Sequence, residues 1–516
     1  MSTEDQNRAV VTFHKGVDID QAVNELLDAG YEMHDEKPGS RRNFDFVMTQ
    51  EQAAALRNDP RIVDVRYGSK IENGIFPTRA VLEDSKTYSK TTTLNNTHYN
   101  WAHASCTSNT DRFTPTSNVG TQLATDIGFQ YPYTLAGEGV DVVIQDSGID
   151  PNHPEWLNRD GTASRLQQIN WPNEAGLSGT YTQSANHYSD PDGHGTHVTG
   201  TAAGRLYGWA KDANIYSIAM IDNVDGFGTS ASFNLIRGWH NNKGNNRPTV
   251  VNMSWGYFGT YTNITGGNYR GTPWTGTAMD ANYGMVQSQQ DGSGNWTHPV
   301  RVASVEADMQ DCIDDGIIFV SAAGNDSHKA DISTGDDYNN YFTNNFGNRY
   351  YHQGSTPMGL PGVISVGNIS YVYIDGQEPL FNSSTKGPRV DIQAPGGYIM
   401  SAIPDGSNIA VGVGTVDYPL DGNYKATKIS GTSMASPQVC GAVACILSAR
   451  PTMTGPEVLA FLQQHGTANR LYDSTTGTPS TDYSDFRALQ GAENIYLQNP
   501  FNTANPFKLS GGSSIS

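Results

Sequence analysis

The sequence predicts an α/β protein: a mainly parallel central sheet between two helix layers, preceded by a small α+β unit. Three observations predict it. Apolar strand-like runs at 140–145, 215–220, 250–253, 317–322 and 363–367 alternate with helical stretches, which builds a parallel sheet covered on both faces. A chain of 516 residues exceeds one compact domain, so two or three units are expected. Residues 1–70 carry a complete strand and helix alternation of their own.

That first unit reads in order. Residues 8–13 form an apolar strand. Ile19, Ala22, Val23, Leu26 and Leu27 recur at helical spacing, and Gly30 stops the helix. Residues 31–35 are a weaker strand, and 43–48 alternate like a half-buried one. Thr49 with Gln52 makes a capping box for a second helix through Ala53, Ala54 and Leu56. Asp59-Pro60 breaks it, and Ile62-Val63-Asp64-Val65 returns as a strand. The order βαββαβ is a ferredoxin-like split unit. Residues 71–98, polar and rich in Thr, Ser and Lys, read as an exposed linker open to cleavage. The main domain covers 99–490, and 491–516 read as a flexible tail.

Composition excludes some functions. Acidic residues outnumber basic ones, 52 to 32, for a formal charge of −20, which disfavours nucleic acid and anionic membrane as partners. Four cysteines make no disulfide framework; Cys440 and Cys445 point to different helix faces, and only a structure can show whether Cys106 meets Cys312. The chain opens without a charged-then-apolar leader, and no run approaches the roughly 18 apolar residues of a membrane span. The expectation is a protein inside the cell, exported by another route, or carried in a larger assembly or virus particle.

Chemistry concentrates at Ser430-Gly431-Thr432-Ser433-Met434-Ala435-Ser436-Pro437, which opens a small, apolar helix. Pro437 suits the first turn of that helix. Ser433 then lies beside free backbone N–H groups and the positive end of the helix dipole, which favour a developing oxyanion. A serine in such a turn is ordinarily a cap. It becomes a nucleophile when a base and an orienting carboxylate accompany it. Asp146, ending the apolar run 140–145, and His194, in Asp192-Gly193-His194-Gly195-Thr196-His197, supply them in the chain order Asp, His, Ser.

Asp146-Ser147-Gly148-Ile149, His194-Gly195-Thr196-His197-Val198-Thr199-Gly200 and Gly431-Thr432-Ser433-Met434-Ala435-Ser436-Pro437 together resemble the signatures of subtilisin-like serine proteases, the subtilases of peptidase family S8. A fourth element, Val320-Ser321-Ala322-Ala323-Gly324-Asn325, resembles the strand that delivers the family's oxyanion asparagine. The resemblance implies a subtilisin-like fold and a self-processing serine endopeptidase that needs no cofactor for its chemistry. It makes Asp146 the orienting carboxylate, His194 the base, Ser433 the nucleophile and Asn325 an oxyanion donor. Gly226, Phe227 and Gly228 resemble the edge strand that pairs with a polypeptide substrate. Ser254, Trp255 and Gly256 resemble the facing strand, and Ala323 and Gly324 belong to the same cleft. For Trp255 two readings stand: it narrows a neighbouring pocket, or it packs under its own loop.

Gln50-Glu51-Gln52-Ala53 to Leu56-Arg57-Asn58-Asp59-Pro60, followed by Val63-Asp64-Val65, makes residues 1–70 resemble the family's propeptide, implying an intramolecular inhibitor released by a cut within 71–98; the alternative is a permanent accessory domain. Residues 257–298 depart from the compact family pattern as a Tyr-, Gly- and Thr-rich insertion, a lid or a docking surface or neither. An acidic loop, 331–348, is expected at the floor of the same cleft. Its Asp336 and Asp337 read as solvated carboxylates, although the family resemblance allows a structural calcium. Two other classes stand beside this one: a catalytically silent binding or structural protein on this scaffold, which would normally have lost at least one of Asp146, His194, Asn325 and Ser433, and a transamidase, which keeps them and passes the acyl group to an amine. Turnover of an unstructured protein separates the first, and ligated products in mass spectra the second.

Overall fold

The computed structural model describes residues 8–35, 42–67, 75–77, 90, 94–96, 98–107, 113, 127, 135–223, 225–276, 296–411, 413–473 and 488–498. Strand β1 (Arg8–Phe13), helix α1 (Ile19–Asp28), strands β2 (Glu32–Asp35) and β3 (Asn43–Val47), helix α2 (Gln50–Leu56) and strand β4 (Ile62–Tyr67) make up the first unit. Its sheet is antiparallel in the order β2-β3-β1-β4. Asp18 caps α1 by accepting from Gln21 N, and Thr49 and Gln52 form a reciprocal capping box on α2. The apolar faces of both helices close over the sheet in a separate core that includes Val11, Phe13, Leu26, Phe46, Ala53, Leu56 and Val65. Strand β5 (Ile75–Pro77) follows.

The expected exposed linker is shorter than 71–98. Lys90 is buried, its Nζ 3.0 Å from Glu378 Oε1 and 3.9 Å from the centre of the Trp101 ring. Arg470 closes on the other Glu378 oxygen at 2.8 Å. A buried carboxylate that holds two cations, Lys90 over the Trp101 ring and Arg470 over the Tyr496 ring, anchors the chain to the main domain by residue 90. The rest of the linker, apart from β5 and residues 94–96 and 98, lies outside the described residues, as does the tail from 499.

The main domain continues with α3 (Ala102–Ser105), β6 (Asp141–Asp146), α4 (Trp171–Glu174), α5 (His194–Ala203), β7 (Asn214–Ala219), α6 (Thr229–Asn242), β8 (Thr249–Met253), β9 (Trp255–Tyr261), β10 (Ile264–Tyr269), β11 (Thr272–Thr275) and β12 (Trp296–Pro299). After these come α7 (Ala303–Asp314), β13 (Ile318–Ala322), β14 (Tyr341–Asn344), β15 (Arg349–Tyr351), β16 (Ile364–Ile369), β17 (Ile392–Pro395) and β18 (Ile399–Ile403). The last elements are β19 (Val416–Tyr418), β20 (Asp421–Ile429), α8 (Thr432–Ala449), α9 (Gly455–His465), β21 (Thr467–Ala468) and β22 (Ile495–Tyr496). The central sheet runs β21-β22-β17-β16-β13-β8-β6-β7, parallel except for β21 against β22.

Side chains alternate between two cores. Val142, Ile144, Val250 and Val320 face the core that includes Val198 of α5 and Val439 of α8. Val143, Val251 and Phe319 face the core that includes Phe233 of α6 and Met309 of α7. Burial on both faces is why these strands read as unbroken apolar runs. Each such side chain contributes about 1.5–3 kcal/mol on burial. Helix α8 has the length and hydropathy of a membrane span, but 89 % of it is buried inside this fold. The four cysteines are buried free thiols.

Pro437 does not sit in the first turn of its helix. The helix starts at Thr432, so Pro437 is interior and supplies no N–H to the Ser433 carbonyl one turn back. Ser254 Oγ donates to that carbonyl instead, at 3.0 Å. The proline therefore ties the serine helix to the end of β8.

The 257–298 insertion is sheet rather than loop over its described residues. Strand β12 returns antiparallel along β9, and the hairpin β10–β11 pairs through β10 with β14, which pairs with β15. The acidic loop thus closes on the insertion. Asp337 is buried rather than solvated, and its oxygens take Arg270 Nε and Lys329 Nζ, each at 2.6 Å. Burial works to raise its pKa, but these cations outweigh it and hold the carboxyl well below the usual range. With both oxygens engaged by protein cations, Asp337 does not fit a calcium site, while Asp336 is exposed. Residues 277–295 lie outside the described residues.

Candidate active site

Strand β6 delivers Asp146 at its carboxyl end, beside the first turn of α5, where open α/β sheets place their chemistry. Asp146 Oδ1 lies 2.7 Å from His194 Nδ1, and both side chains are fully buried. The same oxygen accepts the Ser147 N–H at 2.8 Å. Glycines permit this approach. A Cβ on Gly195 would strike the Gly148 carbonyl, and Gly148, at φ +127°, itself passes against the Ser189 carbonyl.

The sequence reading missed Asp190. Its buried carboxylate accepts from Ser147 Oγ (2.8 Å), Gly193 N (2.9 Å), Thr196 N (2.8 Å) and Thr196 Oγ1 (2.6 Å). The N-cap of helix α5 is Gly193, which has no side chain to cap it, and Asp190 takes over that duty. Ser147 Oγ in turn accepts Gly195 N at 2.8 Å, so the loop after Asp146 is bonded to the turn bearing His194. Burial pushes the Asp190 carboxyl up to about 6 against these hydrogen bonds. An Asp shortly before a motif histidine was the only signal, and one donor lies 43 residues away.

His197, the second histidine of the motif, is structural. Its Nε2 is 3.0 Å from the Ile399 carbonyl and 3.3 Å from that of Thr427, so that nitrogen carries the proton. Burial, and then the neighbouring His194, push its pKa down to about 3.

Ser433 lies in the first turn of α8, where Gly431 is the N-cap. Its Oγ donates to the Ser254 carbonyl at 3.3 Å. Asn252 Nδ2 donates to Ser254 Oγ (2.9 Å), and Ser436 Oγ donates to Asn252 Oδ1 (2.8 Å), locking the end of β8 to α8. Asn325 follows β13, and its Oδ1 accepts from Thr432 N (3.0 Å) and Thr432 Oγ1 (3.1 Å). Both bonds use the amide oxygen, so its donors turn away from Thr432. Ala323 N donates to the Val366 carbonyl and Gly324 N to Thr432 Oγ1, which holds this turn against α8.

The expected substrate segments differ from each other. Residues 226–228 are a bend and not a strand, because Phe227 N donates back to the Ala219 carbonyl and Gly226 N to that of Asn223. Gly228 is the N-cap of α6. Ser254 joins β8 to β9, and Trp255 and Gly256 open β9 as a true strand. The Trp255 ring is fully buried, 6.2 Å from Phe233 and 5.9 Å from Tyr257, so it packs in the core beneath its own strand. Strand β9 is paired along Trp255, Gly256 and Tyr257 by β5, antiparallel. Ser433 and His194 expose no surface.

Asp326, next to Asn325, is buried, and its pKa is pushed up to about 7 by burial, against one backbone hydrogen bond. A carboxyl raised in the fold lends stability that is complete below its unfolded pKa and lost as pH rises through the folded value. Asp326→Asn, in a Ser433→Ala background, should therefore gain on its parent between about pH 4 and 7, by up to about 4 kcal/mol. Thermal unfolding across that range checks it; a constant difference refutes it.

The subtilase family model matches residues 137–484, which include Asp146, His194, Asn325 and Ser433. The chain is 26 % identical over 355 residues to subtilisin-like protease 1 of Trichophyton rubrum, covering 68 % of this chain and 49 % of that protein. It is 30 % identical over 319 residues to subtilisin-like protease 3 of Arthroderma otae, covering 61 % and 53 %. The chain thus spans about half the length of these curated relatives. Among solved structures, fervidolysin from Fervidobacterium pennivorans, described as a keratinolytic enzyme related to subtilisin, is 17 % identical, with a TM-score of 0.49 over 98 % of this chain and 62 % of that one. With the family model spanning β6 to β21, α5 and α8 among them, this chain belongs to the subtilase family.

Proposed function

We propose that this chain is a serine endopeptidase that hydrolyses polypeptides through an acyl-enzyme and is made as a self-processing zymogen. The observation that carries it is the buried Asp146–His194 pair, together with a serine in the first turn of α8. Asp146 holds the imidazole with Nδ1 protonated, leaving Nε2 as the base. His194 takes the Ser433 proton as Oγ attacks the substrate carbonyl, then returns it to the leaving amine. Ser433 N and the Asn325 amide donate to the tetrahedral oxyanion, helped by the α8 dipole. Water repeats the sequence on the ester and frees Ser433.

The N-terminal unit is read as the intramolecular inhibitor. It packs on α7: Asn43 Nδ2 donates to the Ser304 carbonyl at 2.6 Å, Arg42 meets Asp311 at 3.2 Å, and Lys15 pairs with Asp314. Strand β5 leads from it onto β9, where main-chain pairing of a substrate is expected. The complete burial of Ser433 and His194 supports a covered site.

Asn325→Ala tests the oxyanion reading. Its kcat on a casein-type substrate should fall by about 10²–10³ with KM little changed, the magnitude being subtilisin's own, carried over within the family; the chain stays folded, with an unfolding temperature lowered by the loss of the two bonds that Asn325 Oδ1 accepts from Thr432. Undiminished kcat refutes the role.

A further inference from the structure

We propose that Asp190 is a positioning residue for the catalytic pair, its ionised carboxylate holding the turn that carries His194 against the loop that follows Asp146. The inference rests on the endopeptidase reading above and adds a residue to it. Asp190 Oδ1 accepts from Ser147 Oγ at 2.8 Å and from Gly193 N at 2.9 Å. Its Oδ2 accepts from Thr196 N at 2.8 Å and from Thr196 Oγ1 at 2.6 Å. Gly193 and Thr196 lie on either side of His194, and Ser147 is the residue after Asp146. One carboxylate thus spans the two segments whose separation sets the 2.7 Å contact between Asp146 Oδ1 and His194 Nδ1. It also orients both hydroxyls. With their hydrogens turned to Asp190, Ser147 Oγ is left to accept Gly195 N at 2.8 Å and Thr196 Oγ1 to accept Asp150 N at 2.9 Å.

The arrangement needs the negative charge. Gly193 N and Thr196 N can only donate, and each meets a different oxygen of Asp190. Each oxygen already takes two bonds. A proton on either one occupies an acceptor site, and the NH2 of an asparagine offers none, so both changes break the bridge. Among the described residues no lysine or arginine pairs with Asp190, so hydrogen bonds alone oppose its burial, which pushes the carboxyl up to about 6. The elements packed against it carry His194 and His197 on α5, Asp146 and Asp150 at the end of β6 and beyond, and Asp192 in its own loop. Asn223 and the segment Asn408–Ile409 also bond to this loop, through a side-chain amide and backbone N–H groups. A carboxyl raised in the fold is ionised above that value and takes its proton as pH falls through it.

Two protons should therefore silence the site on the acid side. One binds His194 Nε2 and removes the base. The other binds Asp190 and releases the turn that holds the imidazole. A misplacement of about 1 Å at a reacting group costs on the order of 10² in rate. Below about pH 6 the logarithm of the rate should fall with a slope approaching two. A brace that did not depend on charge would leave the slope at one, since only the base would titrate.

The test is the rate at which a fluorophosphonate modifies Ser433 in the full chain, followed from about pH 4.5 to 8 in wild type and Asp190→Asn, with circular dichroism at each pH. The expected wild-type acid limb approaches a slope of two below about pH 6. Asp190→Asn should react about 10²-fold more slowly at the alkaline end and show a slope of one, and its casein turnover should lose kcat with KM little changed. The wild-type limb requires no variant to fold, so a slope of one there overturns the proposal, as does an Asp190→Asn chain that reacts within about three-fold of wild type. Either result, with Ser433 still modified, leaves the endopeptidase reading standing. A folded wild type that is unreactive at every pH overturns that reading and this one with it.

Discussion

Ser433→Ala should lose essentially all hydrolysis of an unstructured protein, with kcat falling by about 10⁶ while the folded chain keeps its secondary structure. That magnitude is the one known for subtilisin, a family member, and is carried over rather than derived. The local reason is specific to this chain. Ser433 Oγ already rests 3.3 Å from the Ser254 carbonyl, and its own carbonyl is held by Ser254 Oγ because Pro437 cannot donate to it. Alanine keeps the backbone of that arrangement and removes only the attacking oxygen. Circular dichroism should therefore be unchanged while turnover disappears. Activity within ten-fold of wild type would remove Ser433 from the mechanism.

Asp146→Asn should cost about 10⁴ in kcat with little change in KM, again by the scale set in serine proteases. Asp146 Oδ1 accepts from both His194 Nδ1 and Ser147 N. Both donors meet that one oxygen, so an asparagine presenting its amide oxygen there keeps both bonds but loses the carboxylate charge that stabilises the imidazolium formed when His194 takes a proton. One presenting its NH2 there meets the Ser147 N–H donor to donor and donates to Nδ1, which moves the imidazole proton to Nε2 and leaves the base no lone pair. On the proposed pairing of substrate with β9, which this substitution does not touch, KM holds. Parallel losses in KM and unfolding temperature would instead mark a collapse of the β6–α5 junction.

Much of this was legible because local chemistry and fold agree. Strands buried on both faces, such as Val142-Val143-Ile144, must be apolar at every position, and the eye finds them. The capping box at Thr49 and Gln52 is a four-residue signal and lies where its spacing put it. Asp146, His194, Asn325 and Ser433 each sit in short motifs at strand ends or helix starts.

What stayed hidden depends on partners far along the chain. Asp190 draws a donor from Ser147, and Asp337 finds Arg270, 67 residues earlier. Lys90, amid Ser and Thr, carries no local mark of the Glu378 and Trp101 that bury it. Trp255 looked able to reach a pocket, but alternation along β9 turns its ring to the Phe233 side. The sequence alone places Pro437 in the first turn, since no local residue marks Thr432 as the helix start; its interior position is accommodated by Ser254 Oγ, which satisfies the Ser433 carbonyl from outside the helix.

The central claim is that Asp146 and His194 activate Ser433 as the nucleophile. Its most direct test is to treat the processed chain with a fluorophosphonate and map the adduct by peptide mass spectrometry. The account predicts a single phosphonyl group, on Ser433, formed at a rate that Asp146→Asn slows at least a hundred-fold. An adduct on another residue, or an unmodified Ser433 in a chain that still hydrolyses casein, would contradict it.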